Sequence, residues 1–333
     1  INDRSPIDQG RESSSKSDAL KKLSEGEKLL RGSRRKEGLE IIRQGLDIAK
    51  EAGNVDEEVE ILAGLVVLSP GRHGDEVDRQ HYLKQAEAKL NKVTSTLTKI
   101  LFLRAKAITL QDARTIDEAE KVYREALALC SSEFDDKDGN LAMQACIIRS
   151  SLIHILCNSK RLDEAREVLV KCDEYAQANK EEADGEMFRM AMDAGIHLGF
   201  ESNDEDFIIE RIKEFEAIPI TSEIVKHAGG GLIEIANRLS HNKSHRPALY
   251  AAEAAIRIGR RADDKEKPSF LLGCLYTEAM VLFQAGEDEK ALAKAEALLD
   301  LCNRPEDSII RQAAQGLTAE IRRTVGDSQT AVD

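Results

Sequence analysis

The sequence predicts an all-α protein in which pairs of helices stack as repeats. Apolar and small residues recur at helical spacing along most of the chain. The composition supports this, because 41% of the 333 residues are apolar, 33% are charged, and tryptophan is absent. A chain rich in Ala, Leu, Glu, Lys and Arg is typical of helical solenoids rather than of sheet proteins. A solenoid of this length need not divide into two domains, since each repeat contacts only its neighbours.

The clearest repeat lies near the C-terminus. Ala291, Ala295 and Leu298 fall at i, i+4 and i+7, which is one face of one helix. Ala279 stands twelve residues before Ala291, and Gly286 marks a turn between them. The segment therefore predicts two amphipathic helices joined by a tight turn, with small residues where they pack most closely. Because neither helix buries its apolar stripe alone, the unit predicts further copies that stack on it.

The same triplet spacing occurs six more times upstream. The first positions of successive triplets are separated by 48, 33, 46, 43, 40 and 43 residues. The mean separation is about 42 residues, within the range of helical repeats. The six upstream triplets are Gly38, Ile42, Gly45; Ala86, Leu90, Val93; Ala119, Tyr123, Ala126; Ala165, Leu169, Cys172; Ile208, Ile212, Phe215; and Ala248, Ala252, Ala255.

Three of these segments carry a family resemblance. The stretches DEAEKVYREALAL, LDEAREVLVK and EDEKALAKAEALL, which begin at Asp117, Leu162 and Glu287, resemble the second helix of tetratricopeptide repeats. The resemblance covers about residues 18–325 and implies a right-handed superhelical solenoid of about seven repeats, in a long-repeat variant, closed by a C-terminal capping helix. Ala107, Ala236 and Ala279 match the small position of the first helix, whereas Ile153 replaces it in the fourth repeat. We therefore expect the helices of the fourth repeat to sit farther apart.

The chain ends differ from the repeats in composition. Residues 1–17 are polar, rich in Ser and Arg, and without periodicity, so they are interpreted as a disordered leader or linker. Residues 18–325 form the predicted repeat domain, and residues 326–333 a polar tail. Within the domain, one helix is predicted from Asp75 to Val93, and a last, unpaired helix from Glu306 to Val325 caps the final repeat. Thr115 and Glu118 predict a capping box at the start of another helix.

Charge and cysteine content restrict the possible partners and compartment. A net charge of -13 makes nucleic acid an unlikely partner, because binding to phosphates needs clustered cations. Basic clusters near residues 31–36 and 257–267 are interpreted as solvated helix ends, with an acidic peptide or nucleic acid as the alternative. The longest apolar run, Ile61 to Leu68, is too short to span a membrane. The six cysteines lack a C-x-x-C pair and are interpreted as core residues of a reducing, cytoplasmic protein.

Four segments invite a chemical interpretation, and none supports a catalytic or metal site. Asp135 to Asn140 does not match a calcium loop, and Glu201 to Asp206 is interpreted as an acidic helix start. His241 and His245 are four residues apart but have no third zinc ligand nearby. The run Gly229 to Gly231 follows no strand, so it is interpreted as a close helix crossing or a local break, with a hinge or ligand approach as the alternative. We expect no metal and no cofactor.

The resemblance also places a candidate binding surface. In tetratricopeptide superhelices the first helix of each pair lines the concave groove. Carried over to this sequence, groove positions that would contact a peptide or protein fall on Arg104, Ile108, Ser150, His154, Asp193, His197, Asn237, Tyr276 and Met280. The alternative is that these are partly buried packing residues. The Lys and Asn pairs of chaperone-tail-binding members are absent from these positions, which argues against a chaperone adaptor.

The resemblance implies a non-catalytic scaffold that holds a protein or peptide segment in this groove. One alternative is a sensor or regulatory domain of a larger signalling ATPase or protease, which the start at Ile1 and the Ser-rich leader favour. The other is an enzyme, which would need a nucleophile–base pair or metal cluster that the sequence does not supply. Partner identity and oligomeric state are left open, since fold does not determine function.

Overall fold

A computed structural model of the chain describes residues 17–31, 34–68, 76–132, 140–178, 186–217, 222–261 and 267–330. The chain folds into two compact units, residues 1–191 and residues 192–333. Most of the predicted leader, residues 1–16, and the last three residues of the tail lie outside the described ranges.

The described residues form fifteen α-helices and no strand. The helices are α1 (Asp18–Arg31), α2 (Arg35–Glu51), α3 (Val55–Leu68), α4 (Glu76–Glu87), α5 (Thr96–Asp112), α6 (Ile116–Ser132), α7 (Asn140–Asn158), α8 (Leu162–Ala178), α9 (Glu186–Glu201), α10 (Glu205–Glu216), α11 (Ser222–His241), α12 (His245–Arg261), α13 (Lys267–Gln284), α14 (Asp288–Leu301) and α15 (Ser308–Thr330).

Consecutive helices pack as pairs. Helix α1 packs on α2, α3 on α4, α5 on α6, α7 on α8, α11 on α12 and α13 on α14. In the remaining pair, Gly195 and Gly199 of α9 lie against side chains of α10. The predicted all-α arrangement of seven consecutive helix pairs is therefore confirmed for the described residues.

The apolar triplets occupy the interior of these pairs. Of their 21 residues all are buried except Leu90, which is partly exposed. Ala107, Ala236 and Ala279, the predicted small positions, have no solvent-exposed surface. Ile153, which replaces the small residue in the fourth pair, is also fully buried. Helical periodicity in the sequence thus identified the contact face of each pair correctly.

The second triplet marks a place where the predicted helix was too long. Helix α4 ends at Glu87, and Leu90–Lys92 forms a separate 3₁₀ turn instead of continuing to Val93. Oδ1 of Asp56, at the start of α3, accepts hydrogen bonds from the backbone N–H groups of Thr94 (2.9 Å) and Ser95 (3.0 Å). This contact holds the connection in the conformation from which the Ser95 hydroxyl caps α5.

Helices α1 and α2 approach most closely through glycine. A Cβ atom built on Gly26 would lie 2.6 Å from the carbonyl oxygen of Gly38, and one on Gly38 would lie 2.7 Å from the carbonyl oxygen of Gly26. The two backbones are therefore in direct contact, and no larger residue fits without moving a helix.

The turns inside five pairs share one geometry. Each contains one residue with positive φ: Arg114, Lys160, Asn203, Lys243 or Gly286. In each, the N–H of the next residue bonds to a carbonyl five positions back, as Thr115 does to Leu110 at 3.0 Å. This is a Schellman motif, which satisfies carbonyls at the end of the first helix while reversing the chain.

The last helix packs on the final pair, as predicted for a capping helix. Ala314, Leu317 and Ile321 of α15 are buried against α13 and α14. Arg322 of α15 also pairs with Glu296 of α14 at 2.6 Å. The helix runs from Ser308 to Thr330, beyond the predicted end at Val325, and is preceded by a 3₁₀ turn at Pro305–Asp307.

Helix α7 contains a long apolar segment. Its segment Leu141–Asn158 is long and apolar enough to cross a membrane by length and composition, with a mean hydropathy of 1.3. In the structure 67% of this segment is buried inside the fold. Packing of a core helix therefore accounts for its composition.

The α1–α2 crossing generates a stability prediction. Substitution Gly26→Ala places a methyl group against the backbone of α2 and against Ile42, so we expect the free energy of unfolding to fall by about 1–3 kcal/mol. Gly230→Ala is the matched control, because a Cβ atom built at this position in the interior of α11 has no neighbour within 4 Å. It should raise stability by up to about 1 kcal/mol. Urea denaturation followed by circular dichroism measures both, and equal effects would contradict the proposed crossing.

The shared turn generates a second prediction. Arg114 holds a φ of 62°, a conformation that costs a side-chain-bearing residue about 1 kcal/mol. We therefore expect Arg114→Gly to raise the free energy of unfolding by about 0.5–1 kcal/mol. The control Ala128→Gly, at a position inside the partner helix α6, should lower it by about 1 kcal/mol. A destabilising effect of both glycines would show that the turn conformation carries no strain.

Candidate functional site

The nine predicted groove residues lie on the first helices of their pairs. None is fully buried: Asn237 is exposed and the other eight are partly exposed. In the first unit, Arg104 and Ile108 lie on α5, and Ser150 and His154 on α7. In the second unit, Asp193 and His197 lie on α9, Asn237 on α11, and Tyr276 and Met280 on α13.

Some of these residues also take part in packing. Ile108 packs against the core of the first unit. Tyr276 and Met280 pack on the cluster that joins α13 to α14 and α15. The polar members of the set are therefore the stronger candidates for contact with another molecule.

Arg104 is held by polar groups from neighbouring helices. Its guanidinium donates to the Gln144 Oε1 atom of α7. Burial lowers the pKa of this guanidinium, while Tyr123 and Glu27 oppose that shift. Burial likewise raises the pKa of Tyr123, whose hydroxyl donates to Gln111 at 3.2 Å. Arg104, one of the predicted groove residues, thus belongs to a layer of buried polar side chains.

A pocket opens between α9 and α11 in the second unit. It has a volume of about 150 Å³. Ile196 and Leu239 are almost fully buried and provide apolar walls. His197, one of the predicted groove residues, lines the same pocket. The other lining residues are Phe200, Arg238 and Asn242.

One ion pair links the two helices beside the pocket. The Nη2 atom of Arg238 donates to Oδ1 of Asp193 at 2.8 Å, and the two side chains are 40% and 30% exposed. Arg238, which the sequence did not predict, therefore pairs with the predicted Asp193 and lines the same pocket as the predicted His197.

The missed residues stand close to the predicted ones in sequence. Arg238 follows Asn237 directly, and Phe200 comes three residues after His197, one helical turn away. Family resemblance assigned two groove positions to α9 and one to α11, which left the C-terminal ends of both helices unassigned. The 3.6-residue period would have placed Phe200 on the same face as His197.

Arg149 is a second buried guanidinium, one residue before Ser150. Only 6% of the residue is exposed, and its guanidinium carbon lies 4.1 Å from the centre of the Tyr175 ring. Its Nη1 atom has no hydrogen-bond partner, and no carboxylate pairs with Arg149 among the described residues. A buried cation held only by an aromatic face is costly to the fold.

Three further interpretations from the sequence have a structural outcome. Asp204 caps α10 by accepting from the Phe207 N–H at 3.0 Å, so the acidic segment is a helix start as predicted. The predicted alternative of a local break at Gly229 to Gly231 was wrong, because α11 continues through these residues, and Gly230 has no neighbour within 4 Å of a built Cβ atom. His241 ends α11 and His245 begins α12, and the described residues contain no group of three or more potential metal ligands. Residues 135–139 of the rejected calcium loop lie outside the described ranges.

The six thiols are core groups, as predicted. All six are buried thiols that form no disulfide bond, and Cys172 takes the position that Ala126 and Ala255 occupy in other pairs. Burial raises the pKa of Cys130 to about 11 and that of Cys274 to about 12. A hydrogen bond to Cys172 together with burial also raises the pKa of Cys146. These thiols are therefore protonated at neutral pH and poor nucleophiles.

Similarity to known proteins is confined to solved structures. No protein-family model and no curated protein matches the chain. Among solved structures, BtubC (BKLC) from P. vanneervenii is 14% identical and covers 90% of this chain and 94% of its own, with a TM-score of 0.39. The apo form of the quorum sensor NprR from B. thuringiensis is 11% identical and covers 91% and 82%, with a TM-score of 0.41.

A third solved structure, Naa15/Naa10 bound to HypK-THB, is 15% identical and covers 95% of this chain and 42% of its own, with a TM-score of 0.33. All three structures are at most 15% identical to this chain and match 90% or more of it.

The isolated cation generates a prediction. Replacement of Arg149 with Met keeps an unbranched side chain and removes a buried charge that has no ion-pair partner in the described structure. We expect Arg149→Met to raise the free energy of unfolding by about 1–3 kcal/mol. The control Arg166→Met, at a side chain that is 53% exposed, should change it by less than about 0.5 kcal/mol. Thermal denaturation measures both, and a loss of stability in Arg149→Met would show that the contact with Tyr175 outweighs desolvation.

Proposed function

We propose that this chain binds a protein or peptide segment at the predicted groove positions of the first helices of its pairs. The observation that carries the proposal is the pocket between α9 and α11, which combines apolar walls with the polar groups of His197, Arg238 and Asn242. Concave sites with apolar lining and a few polar groups are typical ligand sites. In each unit the proposed contact residues are polar members of the predicted groove set, which we call the stripe: Arg104, Ser150 and His154 in the first unit, and Asp193, His197 and Asn237 in the second.

Buried and exposed residues stand side by side on the first helices, and this supports the proposal. On α9, Ile196 and Leu198 are buried, while His197 between them remains partly exposed. On α11, Ala236 is buried and Asn237 beside it is exposed. The buried residues maintain the fold, which leaves the exposed ones available for contact with a partner.

The proposed role is that of a non-catalytic scaffold, in a reducing compartment that suits its buried thiols. A sensor or regulatory part of a larger protein would use the same surface for the same kind of ligand. One binding experiment therefore addresses both versions of the proposal.

The test is selection of binding peptides from a random library displayed on phage, followed by fluorescence anisotropy with the selected peptides. We expect the triple variant His154→Ala/His197→Ala/Asn237→Ala to bind them at least about tenfold more weakly, a loss of about 1.4 kcal/mol. The control Lys121→Ala/Glu167→Ala/Lys290→Ala alters exposed residues of second helices and should bind normally.

Circular dichroism verifies that both triple variants remain helical. If the two triple variants bind the peptides equally well, the proposal that the stripe residues contact the peptide is wrong. If no peptide is selected, the proposed binding function is wrong. Because the stripe residues lie in two units, His154→Ala and His197→Ala/Asn237→Ala are also measured separately. The variant that loses affinity identifies the unit that holds the peptide.

A further inference from the structure

Arg238 offers unused hydrogen-bond donors at the pocket between α9 and α11. A guanidinium has five N–H donors. Among the described residues, the guanidinium of Arg238 makes one hydrogen bond, from Nη2 to Asp193. Because its side chain is 40% exposed and lines the pocket, the remaining donors are accessible to a ligand. The ligand that satisfies them must supply acceptor oxygens.

Asp193 acts as a positioning residue for this guanidinium. It lies on α9 and Arg238 lies on α11, so their ion pair holds the cation at the opening between the two helices. The pair is overall neutral, which means that a ligand would gain directional hydrogen bonds rather than attraction to a net positive charge. Asn242, at the same opening, adds an amide donor.

The other side of the pocket is apolar. Ile196 and Leu239 are each 1% exposed, and the Phe200 ring completes the lining. A cavity of about 150 Å³ with such walls is large enough for an apolar group the size of benzene. One aliphatic side chain therefore fits the volume, while a longer segment would remain outside it.

We propose that this pocket binds an apolar side chain that adjoins a carboxylate, with the carboxylate accepting hydrogen bonds from Arg238 and Asn242. The inference rests on the proposed binding function and names the ligand class for one part of the surface. The carboxylate belongs either to an Asp or Glu side chain of a peptide or to its C-terminus. The two sources share their chemistry at Arg238, and the experiment separates them.

The experiment is a methyl NMR titration of the full chain labelled at Ile and Leu methyl groups, observed at Ile196 and Leu239. Three probes are added separately: N-acetyl-leucine, with a free α-carboxylate; N-acetyl-leucyl-aspartic acid α-amide, with only a side-chain carboxylate; and N-acetyl-leucinamide, which is neutral. We expect saturable shifts with at least one acidic probe, at an affinity at least about tenfold above that of the neutral probe. The tighter acidic probe identifies the source of the carboxylate.

Arg238→Gln should reduce the affinity for the acidic probe to that for the neutral probe. The matched control is Arg246→Gln, which removes the same charge from an exposed arginine of α12 that pairs with Asp206 outside the pocket. Its affinity should equal that of the wild type. Methyl signals of Ile258, a buried residue of α12, report whether each variant is folded. If Arg238→Gln unfolds, Arg238→Lys is used instead. This variant keeps the positive charge and should have a lower affinity for the acidic probe.

Two results would overturn this inference. One is equal affinity for the acidic and neutral probes, and the other is the absence of any saturable shift at Ile196 and Leu239. If library peptides still bind in a stripe-dependent way after either result, the proposed function stands and only the ligand class is wrong. If no library peptide binds either, both are overturned.

Discussion

Close approach of paired helices is the constraint on which the rest of this structure depends. Each helix carries an apolar stripe that water would otherwise contact, and the stripe is buried only where a second helix comes near enough to cover it. Small residues make that approach possible. Ala107, Ala236 and Ala279 on first helices are fully buried, and Gly26 meets Gly38 backbone to backbone in the first pair. Since dispersion contacts fall off steeply with distance, the pair depends on these residues more than on any single large one.

The same kind of turn joins the two helices in most pairs. A Schellman motif with one left-handed residue reverses the chain in a few residues in five of the pairs. The connection between the first and second helix is therefore the same in these pairs. Polar contacts then recur between neighbouring pairs: Arg161 bonds to Glu120 in the first unit, and Arg257 bonds to Glu216 in the second. In both contacts the two residues are 41 positions apart, close to one repeat.

The candidate site follows from this arrangement. Side chains that are not covered by neighbouring helices are the ones available to a ligand, and on α9 and α11 they include His197 and Asn237. At the ends of these helices a pocket remains, with apolar side chains in its interior and Arg238 at its edge. Its chemistry arises from two helices that are neighbours in space, and the pairing of Asp193 with Arg238 spans 45 residues of sequence. Arg104 is also a predicted groove residue, but its guanidinium makes contacts inside the protein. A predicted groove position can therefore be occupied by a residue that packs internally.

The sequence by itself determined the helix type, the number of pairs and the buried face of each, because helical spacing of apolar residues is a local pattern. Ala291, Ala295 and Leu298 are buried for this reason, and the helix end at Gly286 was visible because glycine is suited to positive φ. The equivalent turns at Arg114, Lys160 and Lys243 carry no such signal, since these residues adopt that conformation only because the paired helices impose it. Likewise, the residues of the groove were placed by family resemblance, but the partnership of Arg238 with Asp193 was not. Only the tertiary structure decided it, because a distance between side chains on separate pairs is not encoded in any one segment.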